Sequence, residues 1–434
     1  TVPSNFTELP PAMAYGAADD EALAEAGGAV TALEARATGI NVLFAPVADV
    51  NNNPANPIIN TRSFGENPER VGVLAAAYVR GAQANGVLAT LKHFPGHGNT
   101  DTDTHLAFAA VPGSWRQLWE TERAPYRVAL DADPGFVMST HLWARALDTE
   151  PTPATVSRAA LTDVLRDTLG YDGIVTTDAM NMAAVRDRYG PRDRAVLPLL
   201  AGADVILNET SPRRAIGFVV DAVQSGRLSE ERINASARRV LRGKARIGLH
   251  TASAPERSRL RRMLTEVRGA PLADALTQSA VTVVRGGLIP VTGQRVALVQ
   301  LANFDAGRAM TRMERDLRAD RQVRITRRGG TRGDAVAAAR DADVVVLAMH
   351  LDVMKRAAPE PTRQQRDVIA AISSTGTPVV AVTIGNPYAA SHVADAEGLV
   401  MAYDGTVRTA TAVADVLRGR REATGRLPVS VPGL

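Results

Sequence analysis

Three histidines and two aspartates lie within one short stretch of the chain, residues 92–105. The stretch reads KHFPGHGNTDTDTH and contains His93, His97 and His105. Pro95 and the glycines on either side of His97 prevent a continuous helix there, so we expect a loop that presents side chains. Clustered titratable groups on such a loop are candidates for acid and base chemistry. The segment is therefore the first candidate reaction centre.

Asp103 and His105 form a candidate catalytic pair within this loop. Alternate residues of an extended chain point the same way, so Asp103 can orient the ring of His105 and raise its pKa. A histidine held in this way can donate and accept protons near neutral pH. The alternative interpretation is a histidine that only satisfies hydrogen bonds within the loop.

Asp178 is the candidate nucleophile or base. It follows the β-rich run at residues 173–177, and the next four residues include no cation that could pair with it. A carboxylate at the end of a strand is well placed to attack a substrate. The alternative role is an N-terminal cap for a helix expected to begin near Met182.

Metal binding is a second chemistry that these residue types allow. The possible ligands are His93, His97, Asp101, Asp103 and His105. Two histidines four residues apart share one face only on a helix, and Pro95 prevents a helix here. We therefore expect no metal and no cofactor, and keep a metal-dependent barrel hydrolase as the rival reading. The chain has no nucleophile elbow, phosphate-binding loop or dinucleotide fingerprint.

The elements that must position these residues alternate between short apolar runs and longer amphipathic stretches. Buried parallel strands are predicted at residues 42–46, 87–91, 136–139, 174–177 and 205–207, with helices at 68–84, 115–130, 157–169 and 229–243. Each strand runs into a chemically capable side chain; these are Asp49, Lys92 with His93, His141, Asp178 and Asn208. Catalytic groups at the carboxyl ends of many strands are typical of a (β/α)8 barrel.

The chain is long enough for two domains of unequal size. Its 434 residues are 45% hydrophobic and 22% charged. We predict an α/β fold with a TIM-like (β/α)8 barrel at residues 1–250, a linker at 251–285 and a smaller α/β/α sandwich at 286–434. Residues 5–14 are expected to be irregular, and the first barrel strand is expected to be absent.

Composition excludes several function classes. The chain has no cysteine, which rules out disulfides, thiolate metal sites and a cysteine nucleophile. The net charge of +4 and the lack of aromatic residues among the arginines argue against nucleic-acid binding. No apolar run is long enough to cross a membrane. Localisation stays open between the cell envelope or exterior and the cytoplasm, and so does the oligomeric state.

The candidate reaction loop resembles the signature of family 3 glycoside hydrolases of the β-N-acetylglucosaminidase type. The similar residues are KHFPGHGNT at 92–100, DTH at 103–105, APVADV at 45–50, RSFG at 62–65, TDAMNM at 177–182 and GRLPV at 425–429. The resemblance covers nearly the whole chain. It implies a carbohydrate substrate with a terminal β-linked N-acetylglucosamine, in a muropeptide, a chitin oligosaccharide or a glycoprotein fragment.

The same resemblance implies a retaining mechanism and a role for each residue. Asp178 would attack the anomeric carbon, while His105, oriented by Asp103, would act as acid and base. A histidine in this role departs from the usual pair of carboxylates in retaining glycosidases. The residues implied to bind the sugar are Arg62, Lys92 and His93, together with His141, for which a structural role is the alternative.

The chain departs from the family pattern in three places. Asn99 and Thr104 stand where the signature often has aspartate and serine, and both changes are mild. The family's opening strand, with its acidic and arginine sugar ligands, has no counterpart here. We therefore expect a native chain with a further βα unit upstream of Thr1. A non-catalytic carbohydrate-binding module is the second function hypothesis.

Overall fold

The computed structural model describes residues 6–102, 108–111, 113–251, 269–326, 329–351 and 360–434. The chain divides into two compact units that are not contiguous in sequence. The second unit takes Glu8–Asp20 and Asn60–Gly65 from the N-terminal half, together with the described part of Ala270–Leu434. The first unit contains the remaining described residues. The predicted acid/base pair, Asp103 and His105, lies outside the described residues.

The first unit contains a parallel sheet of five strands. The strands of this unit are β1 Val42–Leu43, β2 Leu88–Phe94, β3 Ala110–Val111, β4 Phe136–Ser139, β5 Trp143–Ala144, β6 Ile174–Ala179 and β7 Val205–Leu207. The sheet runs in the order β1-β2-β4-β6-β7, which is the order along the chain, and β3 pairs separately with β5. All five strands predicted from the sequence are present, but β1 and β7 are half-buried rather than buried.

Helices follow the strands of the first unit, as expected for repeated βα units. The α-helices are Glu21–Ala37, Pro68–Ala84, Trp115–Gln117, Ala124–Ala129, Ala183–Arg186, Pro191–Ala201, Pro212–Gln224 and Glu230–Arg246, with 3-10 turns at Leu130–Ala132 and Ala154–Val156. Two π-helical stretches, Leu118–Glu122 and Ala159–Thr168, replace continuous helices predicted at residues 115–130 and 157–169. Helix Pro68–Ala84 begins as predicted, because the side chain of Asn67 accepts a hydrogen bond from the amide of Arg70 at 3.0 Å.

Each strand of this sheet contributes one apolar side chain to a common cluster, which also includes Val240 and Ile247. Val42, Leu88, Phe136, Ile174 and Val205 pack into a single cluster near the amino ends of the strands. Inward layers contributed by successive strands are characteristic of a barrel interior. The barrel-like α/β fold of the first unit is therefore confirmed, and it leaves the opposite, carboxyl ends of the strands for chemistry.

The second unit is a six-stranded sheet covered by helices. Its strands are β8 Thr282–Gly286, β9 Val296–Ala302, β10 Arg321–Ile325, β11 Val344–Leu351, β12 Val379–Gly385 and β13 Gly398–Ala402. Its helices are Ala12–Ala18, Gly269–Ala280, Gly307–Leu317, Arg332–Arg340, Arg363–Ser373 and Val407–Leu417, with 3-10 turns at Asn60–Arg62 and Pro387–Val393. The sheet order is β10-β9-β11-β12-β13-β8. Edge strand β8, which the sequence analysis missed, is antiparallel to β13, whereas the other pairs are parallel.

Every residue of the central strand β11 is buried, and successive side chains pack on opposite faces, so this sheet needs a helical layer on each side. On β11, Val345, Leu347 and Met349 pack into one core cluster, while Val344 and Val346 pack into another on the opposite face. The predicted α/β/α sandwich is confirmed. The expectation of irregular chain at residues 5–14 is wrong from Ala12 onward, since helix Ala12–Ala18 buries Met13 in this core. Within the described residues, no helix is long and apolar enough to span a bilayer.

Candidate active site

Asp178 lies near the carboxyl end of β6, where the first unit can present side chains to a substrate. Its Oδ1 accepts a hydrogen bond from the amide of Ala179 at 2.7 Å. The alternative role as a helix cap is wrong, because helix Ala183–Arg186 is preceded by Met182 and has no side-chain cap. The carboxylate is therefore placed by its own strand rather than by the following helix.

Burial and neighbouring charges act on Asp178 in opposite directions. Burial has the largest influence and raises the pKa of the carboxyl, because it disfavours the charged form. His93 and His141 lower that pKa, followed by the amide of Ala179 and by Lys92. Together these groups outweigh burial, so the pKa of Asp178 lies below its ordinary value and the side chain is ionised at neutral pH. The compensating charges come from β2 and from the end of β4, which the residues next to Asp178 could not reveal.

His141 is fully buried just beyond β4, and both ring nitrogens contact protein atoms. Its Nε2 lies 3.0 Å from the carbonyl oxygen of Ala179, and its Nδ1 lies 2.8 Å from Oγ1 of Thr155. A carbonyl oxygen only accepts, so Nε2 carries a hydrogen. The hydroxyl of Thr155 donates to the carbonyl oxygen of Thr140 at 2.9 Å. Oγ1 of Thr155 also lies 2.9 Å from Oγ of Ser139. The contacts of His141 therefore fix Nε2 as the donor to Ala179 and tie Nδ1 to a network of hydroxyl groups.

Asp49, in the segment after β1, orients His93 at the end of β2. Its Oδ2 lies 2.7 Å from Nδ1 of His93, and its Oδ1 accepts the amides of His93 at 3.0 Å and His97 at 2.8 Å. Burial raises the pKa of Asp49, but the contacts with the two histidines outweigh it and hold the pKa below its ordinary value. An ionised carboxylate on Nδ1 fixes the ring orientation of His93.

The turn after β2 is held tightly to the preceding loop. The side-chain Nδ2 of Asn56 donates to the carbonyl oxygens of His97 at 2.9 Å and Gly98 at 2.8 Å. Gly98 lies against the carbonyl of Val50, where any side chain would overlap the backbone. The peptide bonds Lys92–His93 and Phe94–Pro95 are cis. The sequence analysis did not find Asn56, because nothing local distinguishes it from the other asparagines at residues 51–53.

The structure brings part of the predicted site together. Lys92, His93, His141 and Asp178 all belong to the first unit, and the first three act electrostatically on the fourth. Lys92 is half-buried on β2, whereas His93 is buried. Arg62 ends the 3-10 turn Asn60–Arg62, which belongs to the second compact unit.

A cleft of about 620 Å³ opens beside the strand ends of the first unit. Its lining includes Trp143 of β5, Phe108, and the arginines Arg145 and Arg188. The guanidinium of Arg145 lies 5.1 Å from the ring centroid of Trp143, and that of Arg188 lies 4.1 Å from the centroid of Phe108. Aromatic faces beside hydrogen-bond donors can accept a sugar ring and its polar substituents. Among the described residues, no group of three acidic or histidine side chains is arranged to hold a metal ion.

Two family models match this arrangement of a barrel-like unit and a sandwich. Residues 1–243 match the glycosyl hydrolase family 3 N-terminal domain, and residues 176–433 match the glycosyl hydrolase family 3 C-terminal domain. Each match covers more than half of the chain. The chain belongs to family 3 of the glycosyl hydrolases.

Individual relatives add detail to this assignment. The chain is 35% identical over 240 residues to β-hexosaminidase A of Pseudoalteromonas piscicida, covering 51% of this chain and 40% of that protein. It is 32% identical over 286 residues to a β-N-acetylglucosaminidase/β-glucosidase of Cellulomonas fimi, covering 63% of this chain and 50% of that protein. The chain therefore spans about half the length of these relatives or less. Among solved structures, a family 3 β-N-acetylglucosaminidase of Paenibacillus sp. FPU-7 superposes with a TM-score of 0.84 at 30% identity, covering 98% of this chain and 83% of that one.

Proposed function

We propose that the chain is a retaining glycoside hydrolase that removes terminal β-linked N-acetylglucosamine from cell-wall or chitin-type oligosaccharides. The observation that carries the proposal is the ionised Asp178 at the end of β6, surrounded by Lys92, His93 and His141. Family membership supports hydrolysis of a glycosidic bond. The names of the relatives from Pseudoalteromonas and Paenibacillus support the choice of sugar.

In the first step Asp178 attacks the anomeric carbon. Because the amide of Ala179 holds Oδ1, we assign the attack to Oδ2. A new Oδ2–C1 ester bond forms while the C1–O bond to the leaving group breaks. His105, oriented by Asp103, gives its proton to the departing oxygen, as the resemblance of the loop implies.

In the second step the glycosyl ester is hydrolysed. Neutral His105 takes a proton from a water molecule, whose oxygen attacks C1 as the ester bond to Asp178 breaks. Two inversions at C1 restore the original β configuration. Arg62, Lys92 and His93 are assigned to the sugar hydroxyls, where buried polar partners give selectivity. His141 acts on Asp178 through the carbonyl of Ala179.

The cleft beside the strand ends is assigned to the leaving group. Trp143 and Phe108 offer aromatic faces on which a second sugar ring can lie, and Arg145 offers donors for its substituents. Phe108 lies just before β3 and Trp143 begins β5, and along the chain these two paired strands follow the ends of β2 and β4.

A panel of aryl β-glycosides that differ only at C2 tests the proposal. We expect the 2-acetamido sugar to be hydrolysed with the highest kcat/KM and with retention at C1, which NMR of the first-formed product detects. Faster hydrolysis of the glucoside would refute the sugar assignment, and the name of the Cellulomonas relative makes that comparison necessary. No hydrolysis of any member of the panel would favour a non-catalytic carbohydrate-binding module.

A further inference from the structure

Glu122 is a buried carboxyl that the proposed reaction does not use. It ends the π-helical stretch Leu118–Glu122, and only 3% of its surface is exposed. Among the described residues, neither carboxyl oxygen has a hydrogen-bond partner of good geometry, although the amide of Gly98 lies near enough to favour the charged form. A buried carboxyl without full hydrogen bonding favours its neutral form, because an uncompensated charge is costly.

The carboxyl group of Glu122 packs directly against the turn that follows β2. A side chain at Gly96 would overlap Oε2 and Cβ of Glu122, so the turn wraps closely around this group. The same turn carries the amide of His97, which Asp49 binds together with His93. The turn therefore connects Glu122 with the groups that hold His93.

Two carboxyl groups, those of Asp49 and Glu122, interact in this region, and their environments shift their pKa values in opposite directions. Asp49 has hydrogen bonds from His93 and His97, which hold its pKa below the ordinary value. Burial first, and then the negative charge of Asp49, raise the pKa of Glu122 to about 8. Titratable groups pushed apart in this way take different protonation states at the same pH.

The tyrosine and the arginine next to Glu122 keep their protons in this pH range. Tyr126, on the helix that follows, is fully buried beside Asp49 and Glu122, and burial places its pKa far above the ordinary value. Arg123 is adjacent in the chain, and burial lowers its pKa only to about 10. From the turn, His93 and His97 face the same region through their contacts with Asp49.

We propose that Glu122 is a positioning residue that works as a neutral carboxylic acid, supporting the Gly96–Gly98 turn and leaving Asp49 as the anion that orients His93. The inference rests on the proposed function of this site. When Glu122 ionises, its negative charge repels the carboxylate of Asp49. It also competes with Asp49 for the hydrogen bonds of the two histidines. The turn then loosens, and activity falls on the alkaline side without any change in the reacting groups.

The pH profiles of wild type and of Glu122→Gln test the proposal on the nitrophenyl β-glycoside of the 2-acetamido sugar. Its leaving group departs without protonation, so the ionisation of His105 does not add an alkaline limb of its own. Glutamine has the shape of the neutral acid but cannot ionise. We expect its kcat/KM at pH 6.5 to stay within about threefold of wild type, and to remain flat where wild type falls by about tenfold per pH unit above the pKa of Glu122. Glu120 is an exposed residue of the same π-helical stretch, and Glu120→Gln should keep the wild-type pH profile.

Melting temperatures from pH 4 to pH 9 provide a readout that needs no activity. The pKa of Glu122 is raised from 4.5 in the unfolded chain to about 8 in the folded protein. Its contribution to stability is therefore fully present below pH 4.5 and is lost as the pH rises toward 8. Glu122→Gln should lose less stability than wild type across this window. The proposal would be overturned if Glu122→Gln had the same pH dependence of melting temperature as wild type. It would also be overturned if Glu122→Gln were as inactive at pH 6.5 as Glu122→Ala. Both outcomes count even if the enzyme hydrolyses its substrate as expected.

Discussion

The Nε2 of His141 donates to the carbonyl oxygen of Ala179 across 3.0 Å, which ties the end of β4 to the end of β6. The amide of the same residue, Ala179, donates to Oδ1 of Asp178 at 2.7 Å. One residue thus connects a buried imidazole with the proposed nucleophile. The contact explains why a histidine that is fully buried can still influence the chemistry of the site.

Two substitutions of His141 distinguish the roles of its two ring nitrogens. Glutamine can place a donor near the position of Nε2, whereas asparagine can only reach the position of Nδ1. We therefore expect His141→Gln to retain more kcat/KM than His141→Asn, with a loss of about 10- to 100-fold in the asparagine variant, as for other supporting contacts. Steady-state kinetics decide the order, and the reverse order would contradict a role through Ala179.

The glutamine variant also makes a pH prediction. His141 lowers the pKa of Asp178, so removing its charge should raise that pKa. On the acidic side, kcat/KM falls because Asp178 becomes protonated. This fall should occur at higher pH in His141→Gln than in wild type. An acidic limb that stays in place would mean that His141 carries no charge near Asp178.

Asp49→Asn tests the orientation of His93. The asparagine oxygen can still accept the amides of His93 and His97, but its NH2 group then faces Nδ1 of His93 as a second donor. The ring must change its tautomer or rotate, and we expect kcat/KM to fall by about 10- to 100-fold or more. Asp131→Asn, an exposed change, serves as the control and should behave as wild type. Equal activities of the two variants would remove Asp49 from the site.

His105→Ala tests the predicted acid/base. Substrates with poor leaving groups need protonation, whereas activated aryl glycosides do not. The variant should therefore lose most of its activity on alkyl or sugar leaving groups and far less on nitrophenyl glycosides. Equal losses on both would indicate a structural histidine.

Chelation distinguishes the proposed metal-independent glycosidase from the alternative hypothesis of a metal-dependent barrel hydrolase. Incubation with EDTA should leave kcat/KM unchanged, because the proposed reaction assigns each step to a side chain. Reproducible inactivation that added zinc restores would favour the rival.

Local sequence patterns were sufficient for the strands of the first unit and for the position of Asp178 near the end of β6, because apolar runs and the polar residues that follow them are short-range features. Glu122 was not found, since its sequence context resembles an ordinary helix and its burial arises only from packing against the turn at Gly96. The assignment of Glu8–Asp20 and Asn60–Gly65 to the second unit was missed for the same reason. Contacts between distant segments leave no periodic trace in either partner.

The identity of the nucleophile is the central claim, and covalent trapping tests it most directly. A 5-fluoro derivative of an activated N-acetylglucosaminide should accumulate as a glycosyl-enzyme, and peptide mass spectrometry should place the label on Asp178. Asp178→Ala should remain folded, take up no label and lose several orders of magnitude in kcat. A label on any other carboxylate, or full activity in Asp178→Ala, would contradict the account.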